Sequence, residues 1–370
     1  FHPLEQMPPD TTTNPADDSI SALGAPVPIK SIEASLKALW SANATHTRCS
    51  LINFVVYSER ENSLARNAAL LADITSDHAC RALVIDAQTA SGASATPVKS
   101  WITAHCHLNQ AGGKAMCSEQ IAFQLRGNLT KLVPNTVFAH LDSDLPLAFW
   151  WQGDFSAAFD SHLTRRIDRL VIDSASWSDP QREFATLQAA RQQSGASFIV
   201  LDLVSTRLFA HRLALAACFD TPETLAGLDR IDRVTIKHHA GQRFTAQTFA
   251  AWMTLKAGWN LELSCTGDSL ELTKPDGQEL QLDFLESDEV THCPGVSGVT
   301  LSGTDIDVSL AIDDSGRYLQ SKVTIGDRSP LACLTPLLAR GEASLVSQRL
   351  RQPGNDALYF RIWNLLLPCI

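Results

Sequence analysis

Three aspartates and three arginines are the residues of this chain best placed for chemistry. Asp168, Asp173 and Asp202 fall at or near the ends of apolar, strand-like runs, and Ser174 follows Asp173 directly. In open α/β sheets such positions border the ligand crevice, where carboxylates can move protons. The same positions serve to cap the next helix or to pair with Arg169 or Arg207. Arg81, Arg207 and Arg212 could hold an anion or a partner's carboxylate, because a guanidinium offers several fixed N–H donors. Their competing role is an ion pair inside the fold. Two histidines, His105 and His107, stand two residues apart on a strand-like run. They would share one face, a spacing able to hold a metal, but no third ligand is evident. His238 and His239 are adjacent and would face opposite ways.

Trp150 and Trp151 close a strand-like run and must also point to opposite faces. At least one therefore belongs to the core. The other is a candidate interface anchor, a place where tryptophan is favoured. The fingerprints of common catalysis are missing: no G-x-G-x-x-G after a strand, no G-x-x-x-x-G-K-[ST], no G-x-S-x-G. Without a glycine-rich first turn, side chains obstruct close backbone approach to a phosphate. No catalytic residue, cofactor or metal is assigned from the sequence.

The elements that must position these residues alternate in type. Residues 1–30, rich in Pro, Thr and Asp at their start, read as a disordered lead-in. A helix is expected over Ser31–Ser41, a buried strand over Cys49–Ser58, a helix over Glu61–Thr75 and strands over Arg81–Ala87 and Ser100–Leu108. A helix is expected over Ser118–Arg126, then a short one near Asn128–Val133, and another over Asp154–Leu163. Strands over Leu145–Trp151, Arg169–Asp173 and Ser197–Leu203 alternate with helices from Ser178–Pro180–Gln181 to Gln193 and over Thr206–Phe219. This rhythm predicts a doubly wound α/β domain over residues 31–225 with a mixed, mostly parallel sheet. Residues 226–370 read as an α+β domain: an antiparallel meander with turns such as Pro275-Asp276-Gly277, then C-terminal helices over Glu342–Leu350 and Asp356–Leu367.

Of the 370 residues, 45% are hydrophobic and 19% charged, enough to bury a sizeable core. The formal charge of −10 disfavours nucleic acid and anionic lipid as partners. No run of about 18 apolar residues announces a membrane span. The nine cysteines are odd in number and irregularly spaced, without C-x-x-C, which predicts reduced, mostly buried thiols and a cytoplasmic location.

Several segments, in order, resemble the family of glucose-6-phosphate dehydrogenase assembly proteins called OpcA. They are Ile32-Glu33 through Leu39-Trp40; Arg48 with Leu51 and Asn53; His78-Ala79-Cys80-Arg81; Cys117-Ser118-Glu119-Gln120-Ile121; Asp144 through Trp151; and Arg166 through Ser174. Asp202 through Arg207, Arg212, Phe219-Asp220, Trp252, Trp259 and Asp356–Tyr359 continue the series. The chain departs from the family pattern at Ala79, where proline is expected, and at Ser205 and His211, where tryptophans are. The resemblance implies a non-enzymatic regulator that binds glucose-6-phosphate dehydrogenase, favours its active oligomer and raises its activity in the oxidative pentose phosphate pathway. Trp150, Trp151, Asp173, Ser174, Arg81, Arg207 and Arg212 are then the candidate partner or ligand contacts. The alternative reading is an α/β enzyme or metabolite sensor that binds a sugar phosphate or nucleotide. Nothing in the sequence sets the chain's own oligomeric state.

Overall fold

A computed structural model describes residues 22–41, 46–88, 98–108, 115–127, 132–194, 198–288, 294–328, 331–337, 341–352, 354 and 356–370. The lead-in up to residue 21 lies outside them, as does the start of the helix expected near Asn128. The chain forms two compact units, Phe1–Trp150 and Trp151–Ile370.

In the first unit, strands β3 (Ile52–Ser58) and β4 (Cys80–Gln88) pair in parallel, and β4 pairs in parallel with β6 (Ala115–Arg126). β5 (Lys99–Leu108) lies antiparallel on β6, and β1 (Ala25–Pro26) antiparallel on β5. β2 (His46–Arg48) adds to β6 in parallel. Helix α1 spans Ile32–Ser41, α2 spans Ser63–Asp77, and α3 spans Val133–Ala139, starting where the short helix expected near Asn128–Val133 was to end. In α2 the buried residues Leu64, Ala68, Leu71 and Ile74 keep the three-to-four spacing of a single helix face. β3 and β4 are buried almost throughout, as strands covered on both faces must be.

β6 corrects the helix expected over Ser118–Arg126. Its Glu and Gln residues favour helix locally, but the segment lies between β4 and β5 and runs buried from Cys117 to Phe123. Ladder pairing on both sides outweighs the local preference. The cysteine expectation needs correction as well. Cys106 and Cys117 face each other across β5 and β6, with Cα atoms 4.0 Å apart, and form a disulfide. Residues far apart in spacing rules become direct neighbours once the hairpin register is set. Cys369 is also disulfide-bonded, whereas Cys80 and Cys218 are free and buried.

The division between units falls inside β7 (Leu147–Gln152). In the second unit, β8 (Arg169–Ile172) and β9 (Ile199–Asp202) pair in parallel. Before β8 the helix expected over Asp154–Leu163 shrinks to α4 (Ser161–Thr164), while between β8 and β9 the helix α5 (Pro180–Ser194) forms as read. Its cap is Asp179, whose carboxylate accepts from Arg182 N at 3.0 Å, and Ser178 instead turns to Asp154. The single helix expected over Thr206–Phe219 is two: α6 (Leu203–Arg207) and α7 (Phe209–Ala217).

The second unit also holds an eight-stranded sheet. In order across it stand β11 (Asn260–Thr266), β12 (Ser269–Thr273), β13 (Glu279–Ser287), β10 (Ile231–His239), β14 (Val296–Gly303), β15 (Ile306–Ile312), β16 (Tyr318–Ile325) and β17 (Leu331–Pro336). It is an antiparallel meander except at its centre, where β10 and β13 run parallel. Helix α8 (Pro222–Gly227) precedes β10, and α9 (Arg243–Ala257) supplies Phe249 and Met253 to the core beside the sheet residues Val234, Ile236, Leu282 and Leu301. The tail forms α10 (Glu342–Arg351) and α11 (Asp356–Leu366), and Trp363 stacks on Phe184 of α5 at 4.3 Å.

Candidate functional site

In the second unit, the sequence-predicted residues Asp173, Ser174 and Arg207 come together with Asp202. β8 ends just before Asp173, and β9 ends at Asp202, which caps α6. Arg207, at the end of α6, donates through Nη1 and Nη2 to the two Asp173 oxygens at 2.7 and 2.6 Å. Such forked pairs are the strong form of ion pair. Asp202 is buried and accepts from Ser174 Oγ at 2.5 Å, from Val204 N at 3.0 Å and from Ser174 N at 3.3 Å. Burial, with the Asp173 carboxylate nearby, pushes its acid dissociation up to a pKa of about 6. Each oxygen is occupied by a group of the fold. The arrangement ties two strand ends to a helix start.

Arg212 donates to the Ser205 carbonyl at 2.5 Å; burial and the neighbouring Arg349 draw its pKa down to about 10. Asp168 sits at the opposite end of β8 from Asp173 and does not join the cluster. Trp150 and Trp151 are both buried, so the exposed anchor expected of one of them is not there. Trp151 donates to the Asp154 carbonyl at 2.9 Å and meets Phe155 and Phe159. His211, where tryptophan was expected, is a core residue. Its Nε2 donates to the Val296 carbonyl at 2.9 Å, and burial lowers its pKa to about 4.

Arg81, the remaining predicted contact, belongs to a second cluster in the first unit. It lies on β4, in register with Glu119 on β6. Arg81 Nη2 is 2.5 Å from Glu33 Oε1 on α1, and Nη1 is 3.6 Å from Glu119 Oε2. Glu119 Oε1 accepts from Trp40 Nε1 of α1 at 2.5 Å and stands 3.2 Å from Arg48 Nε, at the end of β2. Arg48 also reaches Asp142, 3.5 Å away. His140 approaches Glu33 at 3.7 Å, and burial holds its pKa below the usual imidazole value despite that carboxylate. Asn53 fixes this corner by donating to the carbonyls of Asp142 and Leu145 and accepting from Asp142 N, each at 2.9 Å.

The cluster borders a cleft of about 520 Å³ lined by Glu33, Leu36, Lys37, Trp40, Arg48 and Glu119, among others. Glu119 and Arg81 are only 2% and 6% exposed. Glu119 Oε2 and Arg81 Nε nevertheless have no hydrogen-bond partner among the described residues. Sequence reading missed Glu33, Trp40 and Glu119 as site residues. The available signal was a charge at Glu119 within an otherwise buried run.

The histidine pair does not form a metal site. His105 Nε2 meets Gln120 Oε1 at 2.9 Å, and His107 Nε2 meets Thr75 Oγ1 at 3.2 Å. Among the described residues no group of three His, Cys, Asp or Glu could hold a metal ion. No helix among them is long and apolar enough to cross a membrane.

Two family models match the chain in succession. One, described as the glucose-6-phosphate dehydrogenase subunit N-terminal domain, matches residues 72–189; the other, described as the C-terminal domain of the same subunit, matches residues 199–363. The chain belongs to the OpcA family. A relative from Nostoc punctiforme, named OxPP cycle protein OpcA, is 25% identical over 165 residues, which are 44% of this chain and 35% of that protein. A relative of the same name from Synechocystis sp. is 21% identical over 165 residues, 44% of this chain and 34% of its own. The aligned stretch thus spans about a third of either OpcA relative. Among solved structures, an aldose-aldose oxidoreductase from Caulobacter crescentus covers 86% of this chain and 96% of its own, at 11% identity and a TM-score of 0.46. A likeness at that level carries no argument about activity. Within the family-matched residues lie Arg81, Glu119, Asp173, Ser174, Asp202, Arg207 and Arg212.

Proposed function

We propose that this protein is a non-catalytic regulatory subunit that binds glucose-6-phosphate dehydrogenase in the cytoplasm, favours its active oligomer and raises its activity. The observation that carries the reading is the ordered match of both halves to the two domains of one dehydrogenase-subunit family. The strand-end chemistry is compatible with it. Asp173, Ser174, Asp202 and Arg207 hold one another, an arrangement that stiffens a scaffold.

A regulator of this kind must bind the active state of the dehydrogenase more tightly than the inactive one. A difference of about 1.4 kcal/mol shifts the population tenfold. One stretch of the second unit suits a protein partner of this sort. Phe209 and Leu213 on α7 and Leu334 on β17 are exposed, and Phe209, Leu213, Pro336 and Leu337 line a cleft that Arg207 flanks. Apolar anchors beside an arginine are the usual make-up of a binding hot spot.

The test is to mix the purified chain with glucose-6-phosphate dehydrogenase from the same organism. Co-elution on size exclusion and a lower KM or higher kcat are expected. Separate elution with unchanged kinetics overturns the proposal.

A further inference from the structure

We infer that the uncovered face of the eight-stranded sheet binds a second copy of this chain, related by a twofold axis that runs along β14. One face of the sheet carries core residues such as Val234, Leu282, Leu301, Leu310 and Leu319. The side chains that alternate with these point the other way, and Arg233, Lys237, Thr300, Asp307 and Lys322 among them are exposed. β14 lies near the middle of the sheet, with four strands on one side and three on the other. It carries Gly298, Thr300 and Ser302 on this face, so no long side chain stands at its centre. A second sheet can therefore approach to the about 10 Å of aligned sheet packing. Eight strands about 4.8 Å apart and about 20 Å long offer on the order of 700 Å², close to the about 800 Å² per partner of a stable interface.

The choice of a second copy rests on charge. In register across the sheet stand Arg233, Ser302 and Asp307, and in the next row Asp283, Thr235, Thr300, Ser309 and Lys322. Arg233 and Asp307 are thus one strand from β14 on either side, and Asp283 and Lys322 two strands from it. Turning a copy over about β14 exchanges the two sides. Arg233 then lies opposite Asp307 of the second copy, Asp283 lies opposite Lys322 of the second copy, and symmetry repeats each pair. The about 30° rotation between aligned sheets displaces the outer pair by about 5 Å, which a lysine side chain spans. These four charges form no ion pair among the described residues: Arg233 reaches Gln281 at 3.5 Å, and Asp283 accepts from Ser269 and Gln281 through Oδ1 alone. A twofold axis across the strands through Thr300 is disfavoured, because it sets Asp283 against its own copy and Arg233 against Lys237. The surface proposed on α7 stays open in such a dimer. That helix lies on the packed face, where Cys218 at its end joins the core with Leu310 and Leu319.

The experiment uses the full chain without the dehydrogenase, so its outcome is independent of the function proposed above. Sedimentation equilibrium over about 1–100 μM protein reads the mass in solution, since self-association follows concentration. The wild type is expected at twice the chain mass. Arg233→Asp and Asp307→Arg each set like charges against one another at both symmetry-related positions, and each should weaken self-association at least about tenfold. Combining the two substitutions exchanges the charges and should restore the dimer, which also shows that the altered chains fold. A wild type that stays monomeric over this range overturns the inference. So does a dimer that neither single reversal weakens, or one that the combined variant does not regain. A monomeric wild type whose Arg233→Asp form no longer binds the dehydrogenase overturns it in favour of the dehydrogenase as the occupant of this face.

Discussion

Arg81 on β4 and Glu119 on β6 are register partners in a parallel ladder, both nearly sealed from solvent, yet their charged atoms come no closer than 3.6 Å. Each is held instead by a third residue: Arg81 by Glu33, Glu119 by Trp40 and Arg48. The pair is therefore part of a network in which the carboxylates of Glu33, Glu119 and Asp142 offset the guanidinium groups of Arg48 and Arg81. Loss of Glu119 leaves Arg81 with Glu33 and Arg48 with Asp142, so the cost stays below the about 3–5 kcal/mol of a wholly uncompensated buried charge. Glu119→Ala is expected to destabilise the fold by up to that amount in urea melts, and Glu119→Gln, which retains an acceptor for Trp40, by less. Equal stability of wild type and Glu119→Ala would refute the network.

Asp202 makes stability depend on pH. Its folded-state pKa is about 6, raised chiefly by burial, against an unfolded value near the ordinary 3.8. Between these two values the folded state binds more protons than the unfolded one, so stability falls as pH rises from about 4 to about 6. Above pH 6 the ionised carboxylate costs about 3 kcal/mol relative to its protonated form. Asn in its place keeps an acceptor for Val204 N and a donor for Ser174 Oγ while removing the charge. Asp202→Asn should therefore flatten this part of the pH–stability curve, gaining on wild type as pH rises from 4 to 7. Parallel curves for the two proteins would show that Asp202 does not titrate in that window.

What the sequence disclosed follows from how local each signal was. The helix α5 was legible because the start signals around Pro180 act within a few residues, and β3 and β4 because continuous burial leaves an apolar run. β6 was not, since Glu119, Gln120 and Gln124 carry helical preference that only two neighbouring strands override. For the same reason the cleft of the first unit stayed hidden. Glu33, Arg48, Arg81 and Glu119 are far apart in the chain, and only the strand register and the docking of α1 assemble them. In the second unit, pairing of a strand-end aspartate with Arg169 or Arg207 was one of the readings the sequence left open, and only the fold selects Asp173 with Arg207.

The disulfide between Cys106 and Cys117 closes a short loop across β5 and β6. Restricting an unfolded loop of this length is worth about 2–3 kcal/mol in the chain-entropy account. The double substitution Cys106→Ser with Cys117→Ser should lower stability by that amount, and wild type should lose the same stability under reductant. Intact mass before and after reduction checks that the bond is present. A reductant-insensitive melt would argue that these thiols are not joined in solution.

Leu213 separates the partner surface from the scaffold. It is 54% exposed on α7, one turn from Phe209, so a polar replacement removes no core contact. Surface changes of this kind stay within about 0.5 kcal/mol of wild-type stability. If α7 docks on glucose-6-phosphate dehydrogenase, Leu213→Asp places a charge in an apolar contact and should weaken the complex at least about tenfold. Titration of the dehydrogenase with wild-type and Leu213→Asp chains, with matched unfolding curves, reads both effects. Lost binding with unchanged stability places the interface on α7; equal binding moves it to another surface. Arg207→Gln gives the complementary reading, because it breaks the fork to Asp173 and should lower stability and binding together.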